Sequence, residues 1–548
     1  MPAAPEDLEL MFPHLNDAQI TRLTAFGETR HAQPGETLFD QGDSQHGVFV
    51  VLEGTLEILN IAACNETVLR VLDRGSFTGE VNMLSGRRSL VRGRAGEACT
   101  VLEIDRASLR RLMQTDTELG ETFLRVFLLR RGFLIAHSVG DALLIGSSHS
   151  PDTLRLRAFL GRNGHPYTYL DVDHDPDVQA VLDHFAVQVA EIPVLICRGR
   201  QALRNPTNSE AAACFGLNAG IDENSIYDLV VVGAGPSGLA AAVYGASEGL
   251  NVLVLESHAP GGQAGSSSRI ENYLGFPMGI SGQDLAGRAF IQAEKFGANI
   301  AIARAARALQ GDRPPYTIEL EDGGTVQARS IIVAAGAQYR KLNLPNLAQF
   351  EGAGVYYGAT PVEAQLCGGE DIAIVGGGNS AGQAAMFLAG SARHVCLVVR
   401  AEGLTETMSR YLIARIESCA NITLKTCTEV EALEGNGRLE RVRIRHMKTG
   451  TKEVHEIRHL FLMTGAKPNT AWLNGSLALD AKQFIRTGRD LGPDWPLDRA
   501  PYLLETSRPA IFAVGDIRAG SLKRVAAAVG DGSMAVQFVH LVLAGGQN

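Results

Sequence analysis

The chain has 548 residues, of which 45% are apolar and 20% charged, and carries a formal net charge of −10. That length predicts several domains rather than one core, and the acidic balance gives no general attraction to nucleic acid. There is no run of about 18 or more apolar residues, so no membrane span is predicted. Residues 1–15 also lack the basic-then-apolar pattern of a secretory leader. No two of the eight cysteines, Cys64, Cys99, Cys197, Cys214, Cys367, Cys396, Cys419 and Cys427, are separated by two residues, which excludes a CxxC redox pair and a zinc-knuckle spacing. Scattered single cysteines predict reduced thiols and a cytoplasmic protein.

In chain order, residues 10–138 open with short strand-like runs punctuated by glycine, such as Val48-Phe49-Val50-Val51-Leu52-Glu53-Gly54. They predict a small β-barrel or jelly roll. Leu119, Phe123, Val126, Phe127 and Arg130 then recur at helical spacing and predict a helix from Asp116 to about His137. Residues 141–218 read β-α-β-α-β-β-α, a short α/β domain. Their strands are Ala142–Ile145, Tyr167–Val172 and Ile192–Ile196, with helices from about Asp152 and near Val178–Phe185. A linker is expected at 219–225.

Residues 226–548 contain two strand–glycine-turn–helix units and predict two Rossmann-like, three-layer α/β nucleotide-binding domains. Tyr227–Val232 leads into Gly233-Ala234-Gly235-Pro236-Ser237-Gly238, and the following strand ends in Glu256. Such glycines permit a tight turn and close approach of a diphosphate to a helix N-terminus, and a carboxylate at Glu256 suits a ribose. The second unit runs from Asp371–Val375 into Gly376-Gly377-Gly378-Asn379-Ser380-Ala381. Its next strand ends in Arg400, a cation suited to the 2′-phosphate of NADPH.

With these turns stand Gly261-Gly262-Gln263, Glu271-Asn272-Tyr273-Leu274-Gly275-Phe276-Pro277, Gly515-Asp516 and Arg524-Val525-Ala526. Together the motifs resemble the low-molecular-weight thioredoxin reductase family across the whole of 226–548. The resemblance implies a homodimer, an FAD domain at 226–345 and 467–548, and an NAD(P)H domain inserted at 346–466. It implies that Gly515 and Asp516 bind the ribityl–phosphate region of FAD, and that Arg524, Val525 and Ala526 lie by its ring. The family's Cys-Ala-Thr-Cys site falls on Gly358-Ala359-Thr360-Pro361, so both cysteines are replaced. A dithiol relay needs two sulfurs in succession, and Gly358 and Pro361 supply neither. The family's His-Arg-Arg signature is reduced to Val399-Arg400-Ala401, which leaves NADH beside NADPH as the donor.

Residues 141–218 resemble a glutaredoxin or thioredoxin fold, with Ile192-Pro193-Val194 as its cis-proline corner. Its Cys-Pro-x-Cys would then have become Ser150-Pro151-Asp152-Thr153, in which Ser150 caps a helix and Pro151 takes the first helical position. Such a domain reads as a dock for a protein partner. Residues 10–138 resemble the cyclic-nucleotide-binding family through Pro34-Gly35-Glu36, Gln41-Gly42-Asp43 and Gly75-Ser76-Phe77-Thr78-Gly79-Glu80. The resemblance implies that Gly79 opens the phosphate cassette, Glu80 holds the ribose 2′-hydroxyl, and Arg88, with Ser89 next to it, pairs the cyclic phosphate. Leu90 and Val91 depart from the family's small and hydroxylated residues. This leaves weak binding, binding selective for cyclic AMP, or none.

Three functional readings follow. The favoured one is an FAD-dependent NAD(P)H oxidoreductase that lacks a dithiol exit and is regulated by a cyclic nucleotide; ferredoxin–NADP reductases of similar architecture also lack the cysteine pair. The second is a docking or signalling protein that binds nucleotides as state reporters. The third is a disulfide reductase that uses another thiol such as Cys367.

Overall fold

The computed structural model describes the chain except residues 1–9, 44–45, 63–64, 86, 137–141, 176–177, 179–181, 184–186, 189–190, 198–200, 218–220, 223, 268, 352, 360, 406 and 546–548. Helix α1 (Asp17–Leu23) starts at Asn16, whose side chain accepts from the Gln19 amide in a capping box. Strands β1 (Glu28–Ala32), β2 (Thr37–Phe39), β3 (Val48–Glu53), β4 (Leu56–Ala62), β5 (Asn65–Leu72), β6 (Arg92–Ala95) and β7 (Cys99–Ile104) follow, with helix α2 (Asn82–Ser85) before β6. They form two antiparallel sheets, ordered β1-β7-β3 and β2-β6-β4-β5, around Phe39, Phe49, Leu56, Leu72 and Val101. Helices α3 (Arg106–Thr115) and α4 (Thr117–Ala136) close this unit. From α4, Phe123 packs on Phe77 at 4.4 Å between ring centroids.

The middle unit comprises β8 (Ala142–Gly146), α5 (Pro151–Arg162), β9 (Tyr167–Asp171), β10 (Val194–Cys197), β11 (Gln201–Arg204) and α6 (Asn208–Phe215) in one sheet ordered β11-β10-β8-β9. Strands β8 and β9 are parallel, β10 is antiparallel to β8, and the Ile192–Pro193 bond is cis. Ser150 caps α5 with Pro151 at its first position, as the sequence predicts. The helix expected near Val178–Phe185 falls largely outside the described residues. The expectation of reduced thiols throughout fails here: Cys197 and Cys214 form a disulfide with Cα atoms 6.5 Å apart. The two lie 17 positions apart, but β10 turns into β11 and α6 runs back along the sheet, so the end of α6 meets the end of β10.

The first α/β unit holds β12 (Ile226–Val232), α7 (Pro236–Ser247), β13 (Val252–Glu256), α8 (Gly282–Phe296), β14 (Asn299–Ile302), β15 (Ala306–Gln310), β16 (Tyr316–Leu320) and β17 (Thr325–Val333). Its sheet runs β14-β13-β12-β17-β16-β15. The parallel strands read as near-continuous apolar runs, as in Leu229-Val230-Val231-Val232, because both faces are buried: α7, α8 and the helix over Val525–Gly545 cover one, and Tyr316, Ile318, Leu473 and Ile485 cover the other. Strand β18 (Ala337–Tyr339) leads into an inserted unit of β19 (Val355–Tyr356), α9 (Pro361–Leu366), β20 (Asp371–Val375), α10 (Asn379–Leu388), β21 (His394–Val398), α11 (Arg410–Glu417), β22 (Ile422–Lys425), β23 (Thr428–Glu434), β24 (Arg441–His446), β25 (Lys452–His455) and β26 (His459–Leu462). Its parallel sheet is ordered β19-β26-β20-β21-β22, and β23-β24-β25 form a separate antiparallel sheet.

Strand β27 (Ala466–Pro468) pairs with β18 at the joint, and β28 (Ile511–Ala513) rejoins the first sheet beside β17. Helix α12 (Val525–Gly545) is long and apolar enough, by length and composition alone, to cross a membrane, which differs from the sequence expectation. Asp531 and His540 interrupt its apolar run. Ala528, Gly532, Ala535, Val536 and Val539 are buried, and a Cβ at Gly532 would lie 2.1 Å from the Ser237 carbonyl, so only glycine allows α12 this close to α7.

The units are not strung apart. One apolar core runs from Leu144, Phe159 and Leu195 of the middle unit into Phe290 and Ala293 of α8 and on to Val231 of β12. Ile291 of the same α8 packs against the amino-terminal core.

Candidate functional site

A cavity of about 1800 Å³ opens between the first α/β unit, the inserted unit and the middle unit. Its first wall is the turn after β12. Gly233 has φ +105°, and a Cβ there would lie 2.5 Å from the Ala334 carbonyl. A Cβ at Gly238 would lie 1.8 Å from the Gly233 carbonyl. Gly235 differs: nothing but the Gly262 Cα comes within 4 Å of a Cβ there, and it is the N-cap of α7 with no side-chain cap. The α7 amides are therefore left for an anion. Glu256 is buried on this wall; its carboxylate accepts from the Ala234 amide at 2.7 Å and from the His258 and Ala259 amides. The Gln263 side chain donates to the Ala337 carbonyl. Burial raises the Asp516 carboxyl above its ordinary value, against the pull of Lys523.

Of the residues assigned from sequence to FAD, Gly233, Gly235, Glu256, Gly262, Gln263, Asn272, Asp516, Arg524 and Val525 line the cavity. Gly238 and Gly515 stand behind the wall as close-packing residues; a Cβ at Gly515 would meet the Ser237 hydroxyl at 2.7 Å. Ala526 does not line the cavity and is exposed, because a single helical step from Val525 turns it to the outer side.

The second wall repeats the first. Gly376 has φ +150° and would meet the Met463 carbonyl at 2.3 Å if it carried a Cβ. Gly378 is the N-cap of α10, again without a side-chain cap. Gly376, Gly378, Asn379, Ser380 and Arg400 line the cavity. Ala381 does not: it is fully buried under α10. The Asn379 side-chain oxygen accepts from the Ser409 amide at 2.8 Å and ties α10 to the start of α11.

Between the walls lie Gly358 and Ala359, with Ala359 bridged to Ser267 of the first unit. Pro361 begins α9, and Thr360 lies outside the described residues. No cysteine lies among the described lining residues. Cys367 is fully buried, and burial pushes its thiol up to about 11.

Sequence reasoning missed the third wall. Asp152, Arg155, Arg162, Asn205, Thr207 and Asn208 of the middle unit all face the cavity. Apart from Asp152, which lies in the Ser150–Thr153 segment, they belong to no motif, and the packing of α5 and of the start of α6 brings them there. Arg155 is held by Asp152, Asn205, Asn208 and the Pro206 carbonyl.

The amino-terminal site is arranged differently from its sequence expectation. Gly79 packs under the Phe127 ring, and its carbonyl accepts from Arg130 Nη1 at 2.9 Å. Glu80 is buried, and neither of its carboxylate oxygens has a hydrogen-bond partner; Arg131 Nη1 lies 3.6 Å away. Burial raises the Glu80 carboxyl above its ordinary range, against Arg131. Arg88 is turned onto the middle unit, where Nη1 donates to the Cys214 carbonyl at 2.9 Å. The Ser89 hydroxyl donates to the Val91 carbonyl at 2.8 Å within its own loop. Arg87 is the inward cation: it lies over the Phe290 ring at 4.6 Å and faces Glu294 of α8.

Two glycine turns of this kind, each opening an uncapped helix into one cavity, belong to a protein that brings two dinucleotides together. The pyridine nucleotide-disulphide oxidoreductase family matches residues 227–532, and the chain belongs to that family; it is an FAD-dependent oxidoreductase. A cyclic nucleotide-binding domain matches residues 29–116. The chain is similar to the thioredoxin reductase of Bacillus subtilis (strain 168), 32% identical over 321 residues that cover 58% of this chain and 96% of that protein. It is also similar to NADPH-dependent thioredoxin reductase 3 of Arabidopsis thaliana, 30% identical over 358 residues that cover 62% of this chain and 64% of that one. Among solved structures, T. acidophilum thioredoxin reductase matches with a TM-score of 0.52 and 27% identity over 57% of this chain and 98% of that one. Lactococcus lactis thioredoxin reductase matches with a TM-score of 0.52 and 28% identity over 58% of this chain and 99% of that one.

Proposed function

We propose that the chain takes electrons from NADPH and delivers them to an acceptor other than a protein disulfide, with no dithiol of its own in the path. One observation carries this reading: the uncapped helix starts at Gly235 and Gly378 share a cavity whose described lining holds no cysteine. The first wall fits FAD, because Gly235 leaves room where any side chain would intrude and Glu256 offers a ribose the remaining lone pairs of its oxygens. The second wall fits NADPH, with Arg400 for the 2′-phosphate and NADH as the alternative donor. Bound FAD supplies a two-electron carrier between this donor and the acceptor. The chain's own residues hold the two dinucleotides on facing walls and screen the space between them from water. Oxygen, a quinone and a ferredoxin are the acceptors to compare.

The middle unit is thioredoxin-like in this reading, which its sheet order and the cis Ile192–Pro193 bond support. Its Ser150–Thr153 segment and Gly358–Pro361 both stand where redox cysteines are absent. A cyclic nucleotide, cyclic AMP in the first instance, acts as effector. The Glu80 carboxylate, set beside Arg131 at 3.6 Å, suits a ribose hydroxyl, and α8 connects the cassette to the flavin-side loop. Exposed Tyr244 on α7 and Met534 and Leu541 on α12 support a homodimer.

The double absence of cysteines also favours a second reading, a nucleotide-sensing dock with little turnover. Disulfide reduction through Cys367 is disfavoured by its burial and raised thiol. A comparison of acceptors separates the readings. Turnover of NADPH with a quinone or oxygen, and none with a protein disulfide, is the expected result; NADPH-driven reduction of a protein disulfide by this chain alone would overturn it.

A further inference from the structure

We propose that the middle unit is a clamp on the flavin cofactor, with Arg162 pairing the FAD diphosphate. This rests on the reading of the Gly233–Gly238 turn as the FAD site. Helix α5 spans 12 residues, roughly 18 Å, and touches both nucleotide-binding units. Near its start, Leu154 packs into the core of the inserted unit beside Ala359. At its end, the Gly161 carbonyl accepts from the Gln283 side chain at 2.6 Å, and the Asn163 side chain donates to the His258 carbonyl at 3.2 Å. Between these two contacts, Arg162 Nη2 donates to the Gly262 carbonyl at 2.8 Å.

Gly262 stands directly across from Gly235: a Cβ built on it would lie 3.1 Å from the Gly235 Cα. Arg162 is therefore one residue removed from the uncapped start of α7, where the middle-unit wall of the cavity meets the first wall. Its Nε is buried and has no hydrogen-bond partner. Arg162 lines the cavity, and its guanidinium can give a diphosphate charge-assisted hydrogen bonds there. Of the other lining cations, Arg155 makes four bonds within the middle unit and Arg304 pairs with Asp322 at the Glu256 end, while Lys523 and Arg524 stand at the start of α12. The middle unit thus adds a cation at the Gly262 loop, contributed from outside residues 226–548.

The test measures FAD release from the full-length protein, by the rise in free-flavin fluorescence after dilution, for wild type, R162A, R162Q and R162K. The melting temperature of each apo form is followed in parallel. R162A and R162Q are expected to release FAD about tenfold faster or more, with a weaker dependence on salt, and R162K is expected to recover part of the loss. Release within twofold of wild type in R162A and R162Q, with matched apo melting, overturns the proposal. So does equal release by R162Q and R162K, since charge would then play no part. If R162A or R162Q melts lower as the apo form, R162K against wild type decides: recovery of slow release supports the charge pairing, and release as fast as R162A opposes it. Wild type that holds no FAD at all would instead overturn the reading of the Gly233–Gly238 turn.

Discussion

The Arg88 guanidinium donates to the Cys214 carbonyl at 2.9 Å across 126 positions of sequence, and its stem lies against Gly216, whose φ of +63° ends helix α6. The residue expected to hold a cyclic phosphate is thus, with Arg131 at the Gly164 carbonyl, a tie between the amino-terminal unit and the middle unit. A ligand that recruits Arg88 must first withdraw it from Cys214. On the proposed reading, the nucleotide-bound and nucleotide-free states would differ at α6, which is the differential contact that coupling between sites requires.

Arg88→Ala removes a charged hydrogen bond worth roughly 1.5–3 kcal/mol. Amide exchange across Asn208–Leu217 is expected to speed up about tenfold in this variant, and saturating cyclic AMP is expected to reproduce part of that change in the wild type. Exchange of α6 that is the same in the variant and the wild type would show that the contact carries no weight.

Glu294 gives the junction a pH dependence. Burial pushes its carboxyl up to about 7, opposed by Arg87, Arg106, Arg110 and Arg131 around it. The folded value lies above the ordinary carboxylate value, so folding takes up a proton between about pH 4.5 and 7, and stability falls as pH rises through that window. Glu294→Gln removes this component. The variant should gain on the wild type from pH 5 to pH 7.5, by at most about 3 kcal/mol, in paired urea titrations. A constant difference across the window would contradict the assignment.

Gly235 and Gly238 separate binding from folding. A Cβ at Gly235 enters open space, whereas one at Gly238 runs into the Gly233 carbonyl at 1.8 Å. Gly235→Ala should keep the apo melting temperature and lose FAD affinity by tenfold or more. Gly238→Ala should lower the melting temperature itself. If Gly235→Ala leaves FAD content unchanged, the diphosphate is not seated at the start of α7.

Cys367→Ser should cost about 1–2 kcal/mol of stability, since it places a hydroxyl where a buried thiol packs. It should leave NADPH-dependent flavin reduction unchanged. Loss of that reaction, with the fold intact by circular dichroism, would make Cys367 part of the electron path.

Both glycine turns were legible in the sequence because their geometry is local: a strand, a φ that only glycine tolerates and a helix start are fixed by adjacent residues. The side chains of Ala381 and Ala526 do not line the cavity because one step along a helix turns a side chain by about 100°, and a motif does not record which face is buried. The Cys197–Cys214 disulfide and the middle-unit wall of the cavity were not legible. They depend on how α5 and α6 pack on distant elements, and neither Arg162 nor Arg155 sits in a pattern that distinguishes a cavity-facing arginine from a solvated one. The direction of Arg88 is set by Cys214 and Gly216, which no local pattern connects to it.

The most direct measurement is anaerobic rapid mixing of the FAD-loaded protein with NADPH, following flavin absorbance with and without cyclic AMP. The account predicts rapid bleaching of the oxidised flavin band, at a rate that cyclic AMP changes. An unbleached flavin under both conditions would contradict it and leave the two nucleotide cradles to sensing or docking.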